Sequence, residues 1–467
     1  MSDYPRDLVG YGRTPPDPRW PGRARIAVQF VVNYEEGGEN NVLHGDAASE
    51  GFLADIVTEP WPGQRHMTVE SIYEYGSRAG FWRLWRLFRE RNLPVTVFGV
   101  AMALARNAEA VAAMKEADWE IASHGLRWID YRNIPPGEER AHLQEAIRIH
   151  VETTGARPLG WYTGRTTQET LRLVAEDGGF LYSADSYADD LPYWSFDGGP
   201  LVVVPYSLET NDMRFSAGPT YASGDDFFTH LKDSFDVLYA EGEHAPKMMS
   251  IGLHCRLAGR PGRAAALARF LDYVQSHERV WVARRIDIAR HWLRTHRPAT
   301  LTPSRMNRAM LVELFGDIFE HSPWVAEQAH AKGLTAAQDN ASGLHAAMVA
   351  ALRAAPREKQ LALLCAHPDL AGRVQIAEMT ADSQSEQAGS GLDRLTEAEQ
   401  RHFLDLNTRY VAKFGFPFII AVKGLSSEDI RVAFEGRLAH EREEEFAAAL
   451  REVEKITAFR LHDRLPA

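Results

Sequence analysis

The chain has 467 residues, of which 45% are hydrophobic and 25% are charged, as expected for a globular protein of two or three domains. Its formal net charge of -12 provides no basic face for phosphates, so nucleic acid is not an expected partner. No apolar run of about 18 residues and no charged-then-apolar leader occurs, so neither a membrane span nor a secretory signal is expected. Two cysteines, far apart in sequence, fit a reducing cytoplasm.

The first part of the chain alternates apolar runs with amphipathic stretches. Strands are predicted at residues 25–33, 94–100, 119–123, 159–162, 181–185, 201–205, 248–254 and 280–284. Helical periodicity lies between several of them, for example at residues 71–91 and 138–153. Nearly continuous apolar strands separated by helices are typical of a parallel sheet. This many repeats predict an α/β fold, a distorted β/α barrel.

The pattern changes at residues 297–305, where two prolines in a polar run indicate a linker. Beyond it strand patterns almost vanish, apart from residues 416–422. Helices are predicted at residues 303–320, 323–332, 341–355, 356–365, 386–391, 397–414, 426–437 and 439–461. We therefore predict a barrel domain at residues 1–298 and an all-helical domain at residues 299–467.

Acids and histidines follow several predicted strands of the barrel. They are Glu35, Glu36, His124, Asp185 and His254. Active sites of β/α barrels gather at the carboxyl ends of strands. The set suits hydrolysis by a general base and an electrophile, with or without a metal. A structural role remains an alternative for each residue. The histidines alternatively have only a structural role, Glu35 and Glu36 lie in a solvated turn, and Asp185 ends a strand.

The barrel half resembles the polysaccharide-deacetylase superfamily, and in particular its allantoinase branch. Four motifs carry the resemblance: Asn-Tyr-Glu-Glu-Gly at 33–37, Ser-His-Gly-Leu-Arg-Trp at 123–128, Gly-Trp-Tyr-Thr-Gly-Arg at 160–165 and Ile-Gly-Leu-His at 251–254. Deacetylases of this superfamily hold a divalent metal with one aspartate and two histidines. Here glutamates replace the aspartates, and Trp128 stands at the second histidine position. The resemblance therefore implies a hydrolase that needs no metal; if one is bound, Glu36 and His124 are its candidate ligands.

For allantoin hydrolysis the resemblance implies a base, an oxyanion stabiliser and a proton donor. Glu35 or Glu36 is the expected base, and His124 and His254 are expected to polarise the carbonyl or protonate nitrogen. The expected substrate contacts are Arg165, Asn33 and Asp185. Pattern alone does not separate the roles of Glu35, Glu36, His124 and His254.

The helical half carries a histidine, a proline, a serine and a glutamate within about twenty residues of one another. It resembles the decarboxylase of 2-oxo-4-hydroxy-4-carboxy-5-ureidoimidazoline (OHCU), which forms (S)-allantoin. The matching segments are residues 320–327, 367–368, 383–386 and 414–420, followed by Arg460. The resemblance implies His367 and Glu386 as catalytic residues and implies substrate contacts from Pro368, Ser383, Ile419, Ile420 and Arg460. No cofactor is expected, because the ring imine of the substrate can accept the electron pair.

Local alternatives remain for these residues. Ser383-x-x-Glu386 is also a capping box, which satisfies backbone N–H groups where a helix begins. His367 before a proline also fits the end of a helix, and Arg460 also fits a solvated helix face.

Together the two halves predict a bifunctional enzyme that forms (S)-allantoin and hydrolyses it to allantoate. Its expected partners are small molecules, OHCU and allantoin, and a second copy of the chain in a homo-oligomer. Two rivals stay open for the barrel half. The first is a metal-dependent deacetylase or other cyclic-amide hydrolase. The second is a non-catalytic scaffold.

Overall fold

A computed structural model of the chain describes residue 4 and residues 6–217, 221–368 and 396–465. The chain divides into two compact units, Met1–Arg297 and Pro298–Ala467. The division falls at the start of the polar segment with two prolines. No helix in the described ranges has the length and apolar character that crossing a membrane requires.

The N-terminal unit is built on one sheet, which has nine strands in the described part of the chain. They are β1 (Ile26–Tyr34), β2 (Thr96–Gly99), β3 (Glu120–Ser123), β4 (Gly160–Trp161), β5 (Tyr182–Ser183), β6 (Tyr193–Ser195), β7 (Leu201–Val203), β8 (Lys247–His254) and β9 (Val280–Val282). The order is β6-β7-β5-β4-β3-β2-β1-β8, and β9 pairs with β1. All pairs are parallel except β6 with β7.

The predicted α/β fold is confirmed. All eight predicted strands form: six are shorter than predicted, β1 is shifted by one residue and β8 begins one residue earlier. Most of them are apolar runs that the sheet buries, whereas β9 is half-buried. The sequence reading missed β6, three half-buried residues that pair antiparallel at the sheet edge. The described sheet is a half-barrel, since its hydrogen-bonded path ends at β6 and at β8 instead of closing on itself.

Helices cover the strands of this unit. They are α1 (Met67–Tyr75), α2 (Phe81–Glu90), α3 (Ala101–Arg106), α4 (Ala108–Glu116), α5 (Pro136–Thr154), α6 (Thr170–Asp177), α7 (Gly224–Glu241), α8 (Pro261–Gln275) and α9 (Arg285–Thr295). A π-helical stretch, Gly76–Gly80, joins α1 to α2. Phe30 of β1 packs against Phe88 of α2 and Phe270 of α8, with ring centroids 5.2 and 6.4 Å away. Burial of each such ring stabilises the fold by about 1.5–3 kcal/mol.

The strand register brings three chain segments to one edge of the sheet. Asn33 of β1 pairs with His254 at the end of β8. On the other side of β1, Tyr34 pairs with Gly99 of β2, which in turn pairs with Ser123 of β3. The residues that directly follow β1 and β3 therefore emerge beside the end of β8, as predicted for the carboxyl edge of a parallel sheet.

The C-terminal unit is helical over its described residues. Its helices are α10 (Arg308–Phe315), α11 (Trp324–Ala331), α12 (Ala341–Arg353), α13 (Arg357–Cys365), α14 (Glu397–Phe414), α15 (Ser427–Arg437) and α16 (Arg442–Arg464). Capping boxes begin α14, through Thr396 and Glu399, and α15, through Ser426 and Asp429. The strand pattern at residues 416–422 forms no strand but an irregular segment, in which Phe418 stacks on Phe434 with ring centroids 3.8 Å apart. The predicted helix at residues 386–391 lies outside the described residues.

Candidate active sites

A cavity of about 230 Å³ opens at the carboxyl edge of the sheet. Five of the predicted site residues line it: Asn33, Glu35, His124, Arg165 and His254. Aromatic rings and one amide complete much of the wall, from Phe52, Trp128, Tyr162, Tyr187, Tyr206 and Asn211. The size is below that of sites for drug-sized ligands, so the cavity suits a small polar ring.

The Glu35 carboxylate is the centre of this cavity's charge arrangement. Its Oε1 lies 3.2 Å from His124 Nε2 and 3.5 Å from His254 Nε2. Its Oε2 accepts a 2.7 Å hydrogen bond from Arg256 Nη2. Burial acts to raise the pKa of Glu35, but the positive charges of Arg256 and His254 and the imidazole hydrogen bonds outweigh it and hold that pKa well below its usual range. Glu35 is therefore ionised at neutral pH.

His254 is oriented by Asp212, a residue that the sequence reading missed. Nδ1 of His254 lies 2.6 Å from Asp212 Oδ1, while Asp212 Oδ2 accepts hydrogen bonds from the backbone N–H groups of His254 (2.7 Å) and Ala258 (2.9 Å). Burial acts to lower the pKa of His254, but the charges of Glu35 and Asp212 outweigh it and raise the pKa to about 9. His254 thus carries a proton at neutral pH and aims Nε2 at the cavity.

Glu36 does not share the position of Glu35. It is buried, it is not among the residues that line the cavity, and its Oε1 lies 3.4 Å from Arg256 Nη1. Burial and the charge of Glu35 raise its pKa to about 7, against the opposing effect of Arg256. A Cβ at Gly76 would overlap the Glu36 carboxylate, so the π-helical stretch leaves room for it only as glycine. Of the two predicted bases, Glu35 is the one that faces the cavity.

Tyr206 and Asn211 form a second polar group in the cavity that the sequence reading missed. The Tyr206 hydroxyl accepts hydrogen bonds from Asn33 Nδ2 (3.1 Å) and Asn211 Nδ2 (3.2 Å). Burial raises the pKa of Tyr206, so the phenol keeps its proton. Because two amides already donate to its oxygen, the hydroxyl proton is available to a carbonyl oxygen in the cavity.

Arg165 lies on the cavity wall with its guanidinium carbon 4.0 Å from the centre of the Trp128 ring and Nη1 4.0 Å from Glu50 Oε2. Asp185, by contrast, is not among the residues that line the cavity in the described chain. Its carboxylate accepts 2.8 Å hydrogen bonds from the backbone N–H groups of Thr163 and Gly164, next to Arg165. Burial raises the pKa of Asp185 to about 7. The geometry gives Asp185 a place in holding this turn, and its predicted substrate contact stays a prediction.

The side chains here do not fit the divalent metal of the deacetylases. Within the ranges that the structure describes, no group of three His, Cys, Asp or Glu side chains is arranged to hold a metal ion. Glu36 faces Arg256, His124 faces Glu35, and the Trp128 position supplies no ligand. Three protein ligands are the usual minimum at a catalytic zinc, and the predicted pair of Glu36 and His124 falls short of it.

The helical unit places His367 in a buried position just after α13. Its Nδ1 lies 2.9 Å from the carbonyl oxygen of Leu363, an acceptor, so the proton sits on Nδ1 and Nε2 carries the lone pair. Nε2 is buried and has no protein hydrogen-bond partner among the described residues. Burial lowers the pKa of His367 to about 4. The imidazole is therefore neutral near pH 7, with an unprotonated Nε2.

The charge of Arg460, in α16, acts on His367. Its Nη1 donates to Glu320 Oε2 at 3.0 Å and to the carbonyl oxygen of Ile318 at 3.2 Å. Glu320 and Arg460 are buried, and their charges act on His367 in opposite directions. The alternative of a solvated Arg460 is therefore wrong. Sequence reasoning missed Glu320 as a functional partner, although it lies in the first matching segment.

The other predicted residues of this half divide into two groups. Ile419 is buried, and its carbonyl oxygen accepts a 2.7 Å hydrogen bond from Arg437 Nη1, whereas Ile420 and Pro368 are half-buried. Ser383 and Glu386 lie outside the described residues, so the choice between a capping box and an active-site pair stays a prediction.

Comparisons with known proteins match the two units separately. The polysaccharide deacetylase family model matches residues 64–182, and the OHCU decarboxylase model matches residues 304–462. The crystal structure of PuuE allantoinase is 60% identical, with a TM-score of 0.63, and the match covers 64% of this chain and all of that one. A putative polysaccharide deacetylase of Schizosaccharomyces pombe is 43% identical over 62% of this chain and 98% of its own length.

The C-terminal unit has its own relatives. The 2-oxo-4-hydroxy-4-carboxy-5-ureidoimidazoline decarboxylase of Halalkalicoccus jeotgali is 45% identical over 166 residues, which are 35% of this chain and 91% of the relative. Each unit thus matches nearly the full length of a separate relative. The chain belongs to two families, the polysaccharide deacetylases through its N-terminal part and the OHCU decarboxylases through its C-terminal part.

Proposed function

We propose that the chain catalyses two consecutive steps of urate breakdown. Residues 299–467 decarboxylate OHCU to (S)-allantoin, and residues 1–298 hydrolyse the hydantoin ring of (S)-allantoin to allantoate. One observation carries the hydrolase assignment: Glu35 Oε1 lies between two imidazoles in a small cavity, within a unit 60% identical to PuuE allantoinase.

Ring opening uses Glu35 as the base. Glu35 takes a proton from water while the water oxygen bonds to the ring carbonyl carbon and the carbonyl electron pair moves onto oxygen. His124 and the Tyr206 hydroxyl line the same cavity and stabilise that oxygen or hold the ring. When the intermediate collapses, the ring C–N bond breaks and His254 gives its proton to the leaving nitrogen. The raised pKa of His254 keeps this acid protonated at neutral pH.

The remaining polar groups of the cavity bind and orient the substrate. Asn33 and Asn211 fix the Tyr206 hydroxyl through their amides. Arg165 offers N–H donors at the wall, with its guanidinium over the Trp128 ring, and suits the planar ureido tail of allantoin. Allantoin is uncharged, which fits a cavity in which charged side chains have partners of opposite charge, Arg165 with Glu50 and Glu35 with His254.

Decarboxylation uses His367 in the helical unit. Its Nε2 takes the proton of the substrate hydroxyl while the C–C bond to the carboxylate breaks and carbon dioxide leaves. The electron pair of the broken bond forms a C4=C5 double bond while the imine pair moves to the ring nitrogen, which takes a proton from water. The C4 oxygen then becomes a carbonyl as C5 takes the proton that His367 had accepted. The neutral, buried state of His367 suits this work. Arg460, which Glu320 holds in the charge environment of His367, is the guanidinium proposed to bind the substrate carboxylate.

Neither step is proposed to use a cofactor. The product of the helical unit is the substrate of the other, so fusion supplies the two activities in equal numbers. Neither activity requires a nucleic acid or a lipid, and both substrates are small molecules.

The test is allantoate formation from racemic allantoin by the purified full chain, with and without a chelator, followed by optical rotation. Consumption of the S enantiomer at the same rate in both conditions supports the proposal. Consumption that the chelator abolishes would favour the metal-dependent deacetylase or amide hydrolase. No consumption would favour the barrel half as a non-catalytic scaffold.

A further inference from the structure

Arg256 is buried at the back of the barrel site, and no motif of the sequence reading included it. We infer that Arg256 supplies, as a fixed part of the chain, the positive charge that a divalent metal supplies in deacetylases of this fold. It acts as a positioning residue, since it contacts Glu35 but is not among the residues that line the cavity. The inference rests on the proposed hydrolysis for its catalytic consequence, but its claim about metal binding stands independently.

The contacts of Arg256 use all three guanidinium nitrogens. Nη2 donates to Glu35 Oε2 at 2.7 Å, Nη1 lies 3.4 Å from Glu36 Oε1, and Nε donates to the carbonyl oxygen of Leu53 at 2.8 Å. The side chain has no solvent exposure. Buried carboxylates require a partner charge, and this guanidinium is the partner of both glutamates.

Aromatic rings complete the enclosure of Arg256. Its guanidinium carbon lies 4.1 Å from the centre of the Tyr73 ring and 5.3 Å from that of Trp128. Trp128 stands where the deacetylase motif has its second histidine. The same substitution therefore removes a metal ligand and provides a face for a cation, as expected if a guanidinium has replaced a metal ion.

The replacement fixes the orientation of the base. With Oε2 of Glu35 held by Arg256, its Oε1 is the oxygen that faces His124 and His254. A divalent metal at this carboxylate would lie beside the guanidinium and the imidazole of His254, where like charges repel. The structure therefore predicts that the site accepts no divalent metal.

The first experiment measures metal binding directly. The purified full chain is titrated with Co²⁺ and with Zn²⁺, and bound metal is counted by elemental analysis and by the visible spectrum of Co²⁺. We expect no stoichiometric binding at the barrel site. One tightly bound equivalent, lost in the Glu35→Gln variant, would overturn the inference whatever the enzyme activity is.

The second experiment replaces the guanidinium. Arg256→Ala is expected to lower kcat for allantoin hydrolysis at least about 100-fold, and added guanidinium ion is expected to restore part of it. Arg256→Lys, which keeps the charge but not the paired geometry, is expected to fall between them. The control is Arg260→Ala, because Arg260 packs on Tyr75 and pairs with Asp55 away from Glu35, and guanidinium ion should not change its rate.

The outcomes separate two failures. If the wild-type chain does not hydrolyse allantoin, the proposed function of this half fails, while the metal titration still decides the inference. If the wild-type chain is active and Arg256→Ala keeps its rate, the inference is overturned. If Arg256→Ala does not fold, the Arg256→Lys variant decides. A wild-type rate of Arg256→Lys would contradict the need for a guanidinium, whereas a reduced rate with an unchanged fold would support the inference.

Discussion

Replacing Asp212 with asparagine tests the acid role of His254. The change keeps the size of the side chain but removes its charge, and with it one of the two negative groups that favour the protonated imidazole. A carboxamide also cannot accept at both of its ends, so it loses part of the set of contacts to Nδ1 and to the two backbone N–H groups.

The size of the effect follows from the pKa of His254. The rise from 6.5 to about 9 corresponds to about 3 kcal/mol in favour of the charged form. If the pKa returns to its ordinary value, the protonated fraction at pH 8 falls roughly thirtyfold. A general acid works in its protonated form, so the rate of allantoin hydrolysis falls as pH rises through the pKa of His254. The variant should therefore lose activity at a lower pH than the wild type.

The assay is the pH profile of kcat for allantoin hydrolysis between about pH 6 and 10. We expect an alkaline limb near pH 9 for the wild type and a limb about two pH units lower for Asp212→Asn. The matched control is Asp226→Asn, since Asp226 also accepts from two backbone N–H groups, of Ala222 and Ser223, at the start of α7. An alkaline limb that Asp212→Asn leaves unmoved would refute the assignment of His254 as the acid.

Three further changes follow from the geometry. Glu35→Gln should lower kcat for allantoin about 1000-fold and Glu36→Gln less than about tenfold, because only Glu35 faces the cavity; equal losses in steady-state assays would contradict this. His367→Gln should lower the rate of carbon dioxide release from OHCU at least about 100-fold and leave allantoin hydrolysis unchanged. His345→Gln, at a half-buried histidine of α12, should spare both activities. Gly76→Ala should destabilise the N-terminal unit by about 1–3 kcal/mol, since the new Cβ overlaps Glu36; an unchanged Tm would count against that packing.

Much of the fold could be predicted because its signals are local. The strand at β1 is a run of nine buried residues, and the helices of the C-terminal unit begin at recognisable caps such as Thr396 and Ser426. The edge strand β6 was missed because three half-buried residues carry no clear pattern. Residues 416–422 read as a strand because they are apolar, but their aromatic rings pack against helices instead.

The sites were predictable only where a motif or a strand end marked them. Glu35, His124 and His254 directly follow or end strands, and the sheet register brings them together. Asp212 lies 42 positions before His254, in the segment after β7, and reaches it because Asn211 bridges to Gly252 at the edge of β8. Such a contact leaves no periodic trace in the sequence. Tyr206 and Arg256 were missed for the same reason.

The central claim is that one chain carries OHCU through (S)-allantoin to allantoate. The most direct measurement supplies OHCU to the purified full chain in the presence of a chelator and follows carbon dioxide, allantoin and allantoate over time. The account predicts release of carbon dioxide, transient (S)-allantoin and then allantoate, with the Glu35→Gln variant stopping at (S)-allantoin. Stable accumulation of (S)-allantoin by the wild-type chain, or no release of carbon dioxide above the uncatalysed rate, would contradict it.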